Sequence, residues 1–327
     1  MAALPPEPRR LRVVVLSYNT RELLAACLRS LLADPESAAW RLVVVDNAST
    51  DGSPQMVREE FPGVTLIESA ENRGFSAGNN LGTRDAQEPL LLFLNSDTLV
   101  PPGALPALLA FTGDHPDCAA AGPRLTNPDG TPQHSCRTFP GPLNTLLEGF
   151  WLDRLAPRSR LLGRPGMTWL DPLATATVDY VSGAALLVRR EAFEAMGGWP
   201  EEYFFYAEDA DLCRQLAARG SKVCYRGEVA IVHLGGASAQ QSTRAAIEAH
   251  RSVLIFALRS RGAGGLLLQR LATLAVTVPR LVLAALSLPV AGAMRHGGQA
   301  WDRLRLLCRV VAVAVGPLHR REPNAAP

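Results

Sequence analysis

Four apolar runs, each ending in a polar cluster, constrain this chain more than any other feature. They are "LRVVVLSYNT" (11–20), "WRLVVVDNASTDGS" (40–53), "VTLIES" (64–69) and "PLLLFLNSD" (89–97). Near-continuous apolar composition, in place of strict alternation, is the pattern of strands buried on both faces. Between the runs, "RELLAACLRSLL" and "PQMVREEF" repeat apolar residues at helical spacing, and "NRGFSAGNNLGTRDA" reads as a glycine-bearing loop entering a helix. Strands alternating with helices predict βαβ units, and so an α/β fold with a mostly parallel central sheet and flanking helices. In such sheets ligands bind beyond the carboxyl ends of the strands, where the loops converge. Ser17-Tyr18-Asn19, Asp46-Asn47 and Asn95-Ser96-Asp97 are expected on that edge.

With 327 residues, 47% of them apolar, the chain can bury a sizeable core. A net charge of +2 argues against a nucleic-acid partner, although arginines outnumber acids after Asp211. Six cysteines without CxxC spacing read as reduced, structural thiols, and so as a cytosolic compartment. The Pro-rich start lacks the apolar centre of a signal peptide and reads as a flexible arm over residues 1–10. From Pro123 to Asp171 the periodicity weakens into a long excursion over the site. Order returns at "VDYVSGAALLVRREAFEAMGGW" (178–199), at "EEYFFYAEDADLCRQLAARG" (201–220), an acidic loop entering a helix, and at "KVCYRGEVAIVHLGG" (222–236).

Several residues carry chemistry. Asp97, at a strand tip, can hold a hard divalent cation or cap a turn. Asp46 can accept from a nucleobase or ribose hydroxyls, or cap the helix near Ser53. Glu208, Asp209 and Asp211 place three carboxylates in four residues beside the aromatic run "YFFY". Partial burial there raises a carboxyl into the working range of a general base. Asp211 is expected to cap the helix that follows. His233 ends an apolar strand beside two glycines and is a metal ligand only in company.

The ordered motifs "SYN", "VVDNASTDGS", "NRGFSAGNNLG", "LLFLNSDT", "VSGAALLVRREAFEAMGGW", "FFYAEDADLC" and "VHLGGAS" resemble family 2 glycosyltransferases, especially the bacterial branch containing rhamnosyltransferases, over roughly residues 11–240. The resemblance implies a GT-A fold, an inverting mechanism, a nucleotide-sugar donor (dTDP- or UDP-linked) and a divalent cation, Mg2+ or Mn2+. By the same resemblance Asp46 is the nucleobase contact, Asp97 the metal-binding Asp of a DxD position, Asp209 the general base and His233 a metal ligand. Tyr18, Asn47 and Arg73 fall in donor-facing loops. Two positions depart from the pattern. Asn95-Ser96-Asp97 stands where Asn-Pro-Asp is common, and Pro200 replaces an Asp that often precedes Glu201.

The last third changes character. "GLLLQRLATLAVTVPRLVLAALSLPVAGAM" (265–294) is strongly apolar but interrupted by Arg270, Pro279, Arg280 and Pro289. Arginine at a bilayer centre costs ~2.5–3.5 kcal/mol on insertion scales, which disfavours a span. The expectation is amphipathic helices on an anionic membrane surface, arginines toward the headgroups. The rival is a helical lid or dimer face packed on the catalytic domain.

The expected organisation is an arm (1–10), a GT-A catalytic domain (11–244), an Arg-rich helical membrane-associating region (245–318) and a tail (319–327). The expected activity is transfer of one sugar, such as L-rhamnose, to a cell-envelope glycan or lipid-linked acceptor, on the inner face of the plasma membrane. A processive synthase is disfavoured because no QxxRW follows the acidic cluster. A dehydrogenase is disfavoured because the glycine-bearing loop follows the third strand and not the first. A silent nucleotide-binding scaffold is the reading from another class.

Overall fold

The computed structural model describes residues 10–235, 243–293 and 297–318. The expected arm, apart from Arg10, and the expected tail lie outside the described residues.

The apolar runs form β1 (Leu11–Ser17), β2 (Trp40–Asp46), β3 (Thr65–Glu68) and β4 (Leu90–Asn95), separated by α1 (Arg21–Leu32), α2 (Ser53–Glu60) and α3 (Gly74–Leu81). There follow β5 (Thr98–Leu99), α4 (Ala104–Asp114), β6 (Cys118–Thr126), β7 (Cys136–Arg137), α5 (Pro142–Gly149), β8 (Thr175–Thr177), β9 (Tyr180–Val181) and β10 (Ala185–Arg189). The chain continues through α6 (Arg190–Ala195), α7 (Glu208–Ala218), β11 (Lys222–His233), α8 (Thr243–Ala293) and α9 (Gly297–Val315).

The main sheet runs in the order β3-β2-β1-β4-β10-β6-β11-β5, with β8 also on β11. It is mixed. β1, β2, β3 and β4 pair in parallel, as do β6 and β11, whereas β10 is antiparallel to both β4 and β6. Successive residues of each central strand face opposite cores. Val13, Val15, Leu92 and Leu94 pack on α1, α2 and α4, while Val14, Leu91 and Phe93 pack against Phe75, Phe193, Trp199 and Leu212. Burial on both faces is why these strands carry no polar alternation.

Three expectations are corrected. The excursion from Pro123 to Asp171 contains the end of β6, β7 and a full helix, α5. Cys118 and Cys224 are bonded to each other between β6 and β11, where all six thiols were expected free. Arg270 and Arg280, expected free for headgroups, are engaged within the protein: the Arg270 guanidinium donates to the carbonyl of Gly316 (2.6 Å), and that of Arg280 donates to the carbonyl of Gly149 and lies over the Trp151 ring. These arginines cap helix ends, whose last carbonyls lack intrahelical donors. The first half of α8, before its break at Gly262 (φ 65°), behaves as the expected rival lid. Ser252 donates to the carbonyl of Phe205, and Phe256 packs against Tyr203 and Ala210.

Candidate active site

Strand register brings the polar clusters to one edge. Ser17 lies opposite Asp46 and Leu16 opposite Asn95. Beyond β4 the edge continues onto the antiparallel neighbour, where the amide of Asn95 donates to the carbonyl of Ala184 (3.0 Å). One residue before Ala184, the amide of Gly183 donates to Asp209 Oδ2 (3.0 Å). On the other side of the tip, His233 pairs with Thr98, and the amide of Leu234 donates to the carbonyl of Asp97 (2.8 Å). Asp46, Asp97, Asp209 and His233 thus belong to one rim, each tied to it through main-chain bonds.

Asp97 and His233 form the closest pair, with Nε2 of the imidazole 3.2 Å from Oδ1 of the carboxylate and Asn95 Nδ2 3.5 Å from the same nitrogen. Among the described residues no cluster of three His, Cys, Asp or Glu side chains is present. Two protein donors that converge at this distance fit a divalent cation that completes its shell with water and phosphate oxygens. Ser96, the departure from the family pattern, has a local reason. Its hydroxyl bonds that of Thr20 (2.8 Å), which bonds that of Ser17 (2.9 Å), a buried chain of three hydroxyls that ties the tip of β4 to the end of β1.

In the donor-side loops, Asp46 is 3% exposed. Its Oδ2 accepts from the Ser49 amide (2.9 Å), while Oδ1 is buried without a partner. It does not cap α2, whose N-cap is Gly52; the carboxylate next to that end is Asp51, which accepts from the Ser53 amide and hydroxyl. A buried carboxylate oxygen left unpaired costs free energy that a ligand donor would recover. Asn47 is fully engaged as a brace: its amide donates to Asn72 Oδ1 and the Gly74 carbonyl, and it accepts from the Arg73 amide. Gly74 (φ 79°) comes so close to the acidic loop that a Cβ there would sit 2.5 Å from the Phe204 carbonyl, and the Phe75 amide donates to that oxygen. Tyr18 is 40% exposed and Arg73 half-buried.

The acidic loop enters α7 through two residues with positive φ, Tyr206 (73°) and Ala207 (64°). Such strain persists only where surrounding contacts hold it, and here Phe75, Asn80 and Ser252 bond the stretch from Trp199 to Phe205. Burial pushes the Asp209 carboxyl above the ordinary aspartate value, opposed by N–H bonds from Gly183 and Ala210 and by the nearby Arg137 guanidinium. Burial pushes Glu208 much further, and the Asp209 charge adds to it. Glu208 Oε2 has no partner. Of the two carboxyls, Glu208 is the one more strongly held toward its protonated form. Asp211 is fully buried but does not act as a cap. It binds Arg214 (2.6 Å), Arg259 (2.6 Å) and the Tyr203 hydroxyl (3.2 Å), locking α7 to α8.

Arg137 and Tyr180, opposite each other in the β7–β9 pair, are site residues that sequence reading missed. They bring a guanidinium, itself 3.7 Å from Glu148, and a phenol into the electrostatic surroundings of Asp209. For Arg137 the only sequence signal is the polar run "QHSCR" inside a stretch without periodicity, while Tyr180 lies in the strand-like "VDYVSG" without a mark of its own.

The model of Glycosyl transferase family 2 matches residues 12–197. The N-acetylglucosaminyl-diphospho-decaprenol L-rhamnosyltransferase of Mycobacterium tuberculosis is 31% identical over 78% of this chain and 85% of its own length. Rhamnosyltransferase WbbL of Escherichia coli is 24% identical over 65% of this chain and 79% of its own. Among solved structures, a mannosyltransferase from Pyrobaculum calidifontis in complex with GDP-Man and Mn2+ superposes with a TM-score of 0.58 at 22% identity, covering 95% of this chain and 87% of that one. The fold is therefore of the GT-A type, and the chain belongs to glycosyltransferase family 2.

Proposed function

We propose that the chain is a metal-dependent inverting transferase that moves one L-rhamnosyl unit from a dTDP-linked donor to a hydroxyl of a lipid-linked cell-envelope glycan precursor. The names of the mycobacterial and E. coli relatives support the sugar, and the former supports the acceptor class. The observation that carries the reading is the Gly183–Asp209 bond, because it hangs an ionisable carboxylate from the same strand edge that presents Asp97 and His233.

The roles follow from the chemistry. Asp46 Oδ1 accepts from the nucleobase, with Tyr18 and Arg73 beside it in the donor-facing loops and Asn47 bracing them. Asp97 and His233 hold Mg2+ or Mn2+, which when bound neutralises charge gathering on the leaving diphosphate. Asp209 takes the proton of the attacking hydroxyl from the face opposite the leaving group, so the anomeric centre inverts in one displacement. Arg137 favours the ionised form of Asp209 until the proton arrives.

Contact with an anionic membrane belongs to the same reading. One described helix, Thr243–Ser287, is long and apolar enough to cross a bilayer. Its packing on α5 and α9, with Arg270 and Arg280 capping their ends, supports a surface position instead. Leu267, Leu271, Val278, Val282 and Leu286 are exposed along it. Next to them, exposed Phe150, Trp151, Leu155 (74%) and Leu161 (60%) alternate with exposed Arg154, Arg158, Arg160 and Arg164. Apolar side chains among arginines suit the headgroup boundary of an anionic leaflet. On this reading the catalytic domain spans 11–244, residues 245–318 associate with the membrane, and the enzyme works on its cytoplasmic face.

A screen of nucleotide sugars with Mg2+ or Mn2+, scored by released nucleoside diphosphate and by the product's anomeric configuration, tests the function. dTDP-rhamnose is expected to turn over with inversion and a chelator to stop it. Full activity after removal of all divalent ions overturns the metal assignment.

A further inference from the structure

Gln133, in the segment between β6 and β7, reaches His233 one hundred positions away. Its side-chain amide makes three bonds. Nε2 lies 2.7 Å from the main-chain carbonyl oxygen of His233 and 2.8 Å from Asn127 Oδ1, and Oε1 lies 2.8 Å from His233 Nδ1. These contacts fix which ring nitrogen donates to Gln133. A main-chain carbonyl only accepts, so the amide group that faces it is the NH2. The amide oxygen then faces the ring, and since it too only accepts, Nδ1 carries the hydrogen. In the neutral ring the lone pair is left on Nε2, the nitrogen 3.2 Å from Asp97 Oδ1. Asn95 Nδ2 lies 3.5 Å from the same nitrogen.

We propose that Gln133 is a positioning residue that fixes the tautomer and ring plane of His233, so that Nε2 and the Asp97 carboxylate are presented together to a divalent cation. The inference rests on the metal reading above and extends it to a residue outside the ligand pair. Metal-ligating histidines hold their orientation through a bond from the other ring nitrogen to an outer acceptor, and losing that acceptor costs about 10–100-fold in metal affinity. The support is itself rigid: the Gln133 amide donates to the Leu125 carbonyl (2.9 Å) on β6, whose Thr126 pairs with Val232 next to His233. Glutamine suits the position better than glutamate, because only an amide accepts from the ring while donating to a carbonyl.

The test is Mn2+ affinity of the full chain in the presence of a nucleoside diphosphate, from loss of the free-ion electron paramagnetic resonance signal, for wild type, Gln133→Leu, Gln133→Glu, His233→Ala and the double variant Gln133→Leu/His233→Ala. Gln133→Leu is expected to weaken Mn2+ binding about 10–100-fold with metal-free nucleotide affinity unchanged. Gln133→Glu, which keeps an acceptor for Nδ1–H, retains more affinity than Gln133→Leu. On the His233→Ala background the Leu substitution has no further effect, because no ring is left to orient. Wild-type Mn2+ affinity in Gln133→Leu overturns the inference, as does an equal loss in the Leu and Glu variants or the same loss on top of His233→Ala. If His233→Ala alone binds Mn2+ like wild type, the ligand assignment beneath it fails as well, and the two failures are told apart.

Discussion

Replacing Glu208 by Gln and Asp209 by Asn, one at a time, separates two carboxyls that sit side by side at the start of α7. Glu208 is 5% exposed with Oε2 unpaired, and burial followed by the Asp209 charge pushes its carboxyl well above the usual range. Burial thus favours its protonated form, which Gln copies in shape and hydrogen bonding. Glu208→Gln is expected to change kcat by no more than a few-fold. Asp209 accepts two main-chain N–H bonds and lies near Arg137, so it is the member that ionises. General-base catalysis is worth about 10²–10⁴ in rate, or about 2.7–5.4 kcal/mol at 1.36 kcal/mol per tenfold. Asp209→Asn should lose kcat by that factor with donor affinity kept. The pH profile carries a sign. A base acts only when ionised, and burial raises this carboxyl above the ordinary aspartate value of about 3.9, so kcat falls on acidification at a pH above that value. Arg137→Met removes a cation that favours the carboxylate, so the pKa rises further and the acid limb moves to higher pH. Initial rates of nucleoside diphosphate release across pH give both quantities. Equal inactivation by Glu208→Gln and Asp209→Asn, or an acid limb that moves down in Arg137→Met, would refute the division of roles.

The other predictions concern the donor, the helix junction and the surface. Asp46→Ala removes the unpaired Oδ1, and a hydrogen bond to a charged group is worth about 1.5–3 kcal/mol, so calorimetry should show nucleoside diphosphate binding weakened roughly 10–100-fold. Arg259→Leu leaves the fully buried Asp211 with Arg214 alone among its cations; stability in urea should drop near the low end of about 3–5 kcal/mol, and an unchanged midpoint would remove this junction from the account. Trp151→Ser with Leu155→Asp should cut sedimentation with anionic vesicles severalfold and leave turnover of a soluble acceptor intact, whereas equal binding to neutral vesicles would contradict the role given to the arginines.

The donor half of the rim was legible because its residues end strands. β1, β2 and β4 show as apolar runs, and Asp46 and Asp97 lie at their tips, so local pattern and the geometry of parallel sheets were enough. The strand β6, "CAAAGPRLT", gave no such signal. It is built from small residues because β9 presses against it: a Cβ on Gly122 would sit 2.6 Å from that of Val181. A strand of alanines with a proline inside carries neither β-branched enrichment nor a clean period. Its antiparallel neighbour β10 likewise reads as any buried strand, since direction leaves no trace in composition. Gln133 and Arg137 were hidden for another reason. They act on His233 and Asp209 across separations that only the folded sheet closes, from a stretch with no periodicity of its own. For Arg270 and Arg280 composition misled, because an arginine between leucines reads the same whether it meets a headgroup or a helix end.

The two halves of the rim consequently differ in what holds them. Asp97 and His233 stand on neighbouring strands whose main-chain bonds fix them directly. Asp209 stands in the first turn of α7, which is entered through a strained loop, and that loop is secured from two outside elements. Asn80 of α3 bonds Trp199 and Glu201, and Phe75 of the same helix bonds Phe204. From the other side, α8 supplies Ser252 to Phe205 and Arg259 to Asp211. α3 opens with the Arg73–Gly74 turn of the donor-side loops, whereas α8 continues past Gly262 into the exposed apolar ridge. On the proposed roles, the carboxylate that would meet the acceptor is therefore positioned by one helix beginning at the proposed donor side and another ending at the surface proposed to meet the bilayer. Side-chain and main-chain bonds link either end to Asp209, whereas Asp97 and His233 are joined through the sheet. In a transferase with a membrane-anchored acceptor, that places the adjustable part of the site on the acceptor's side.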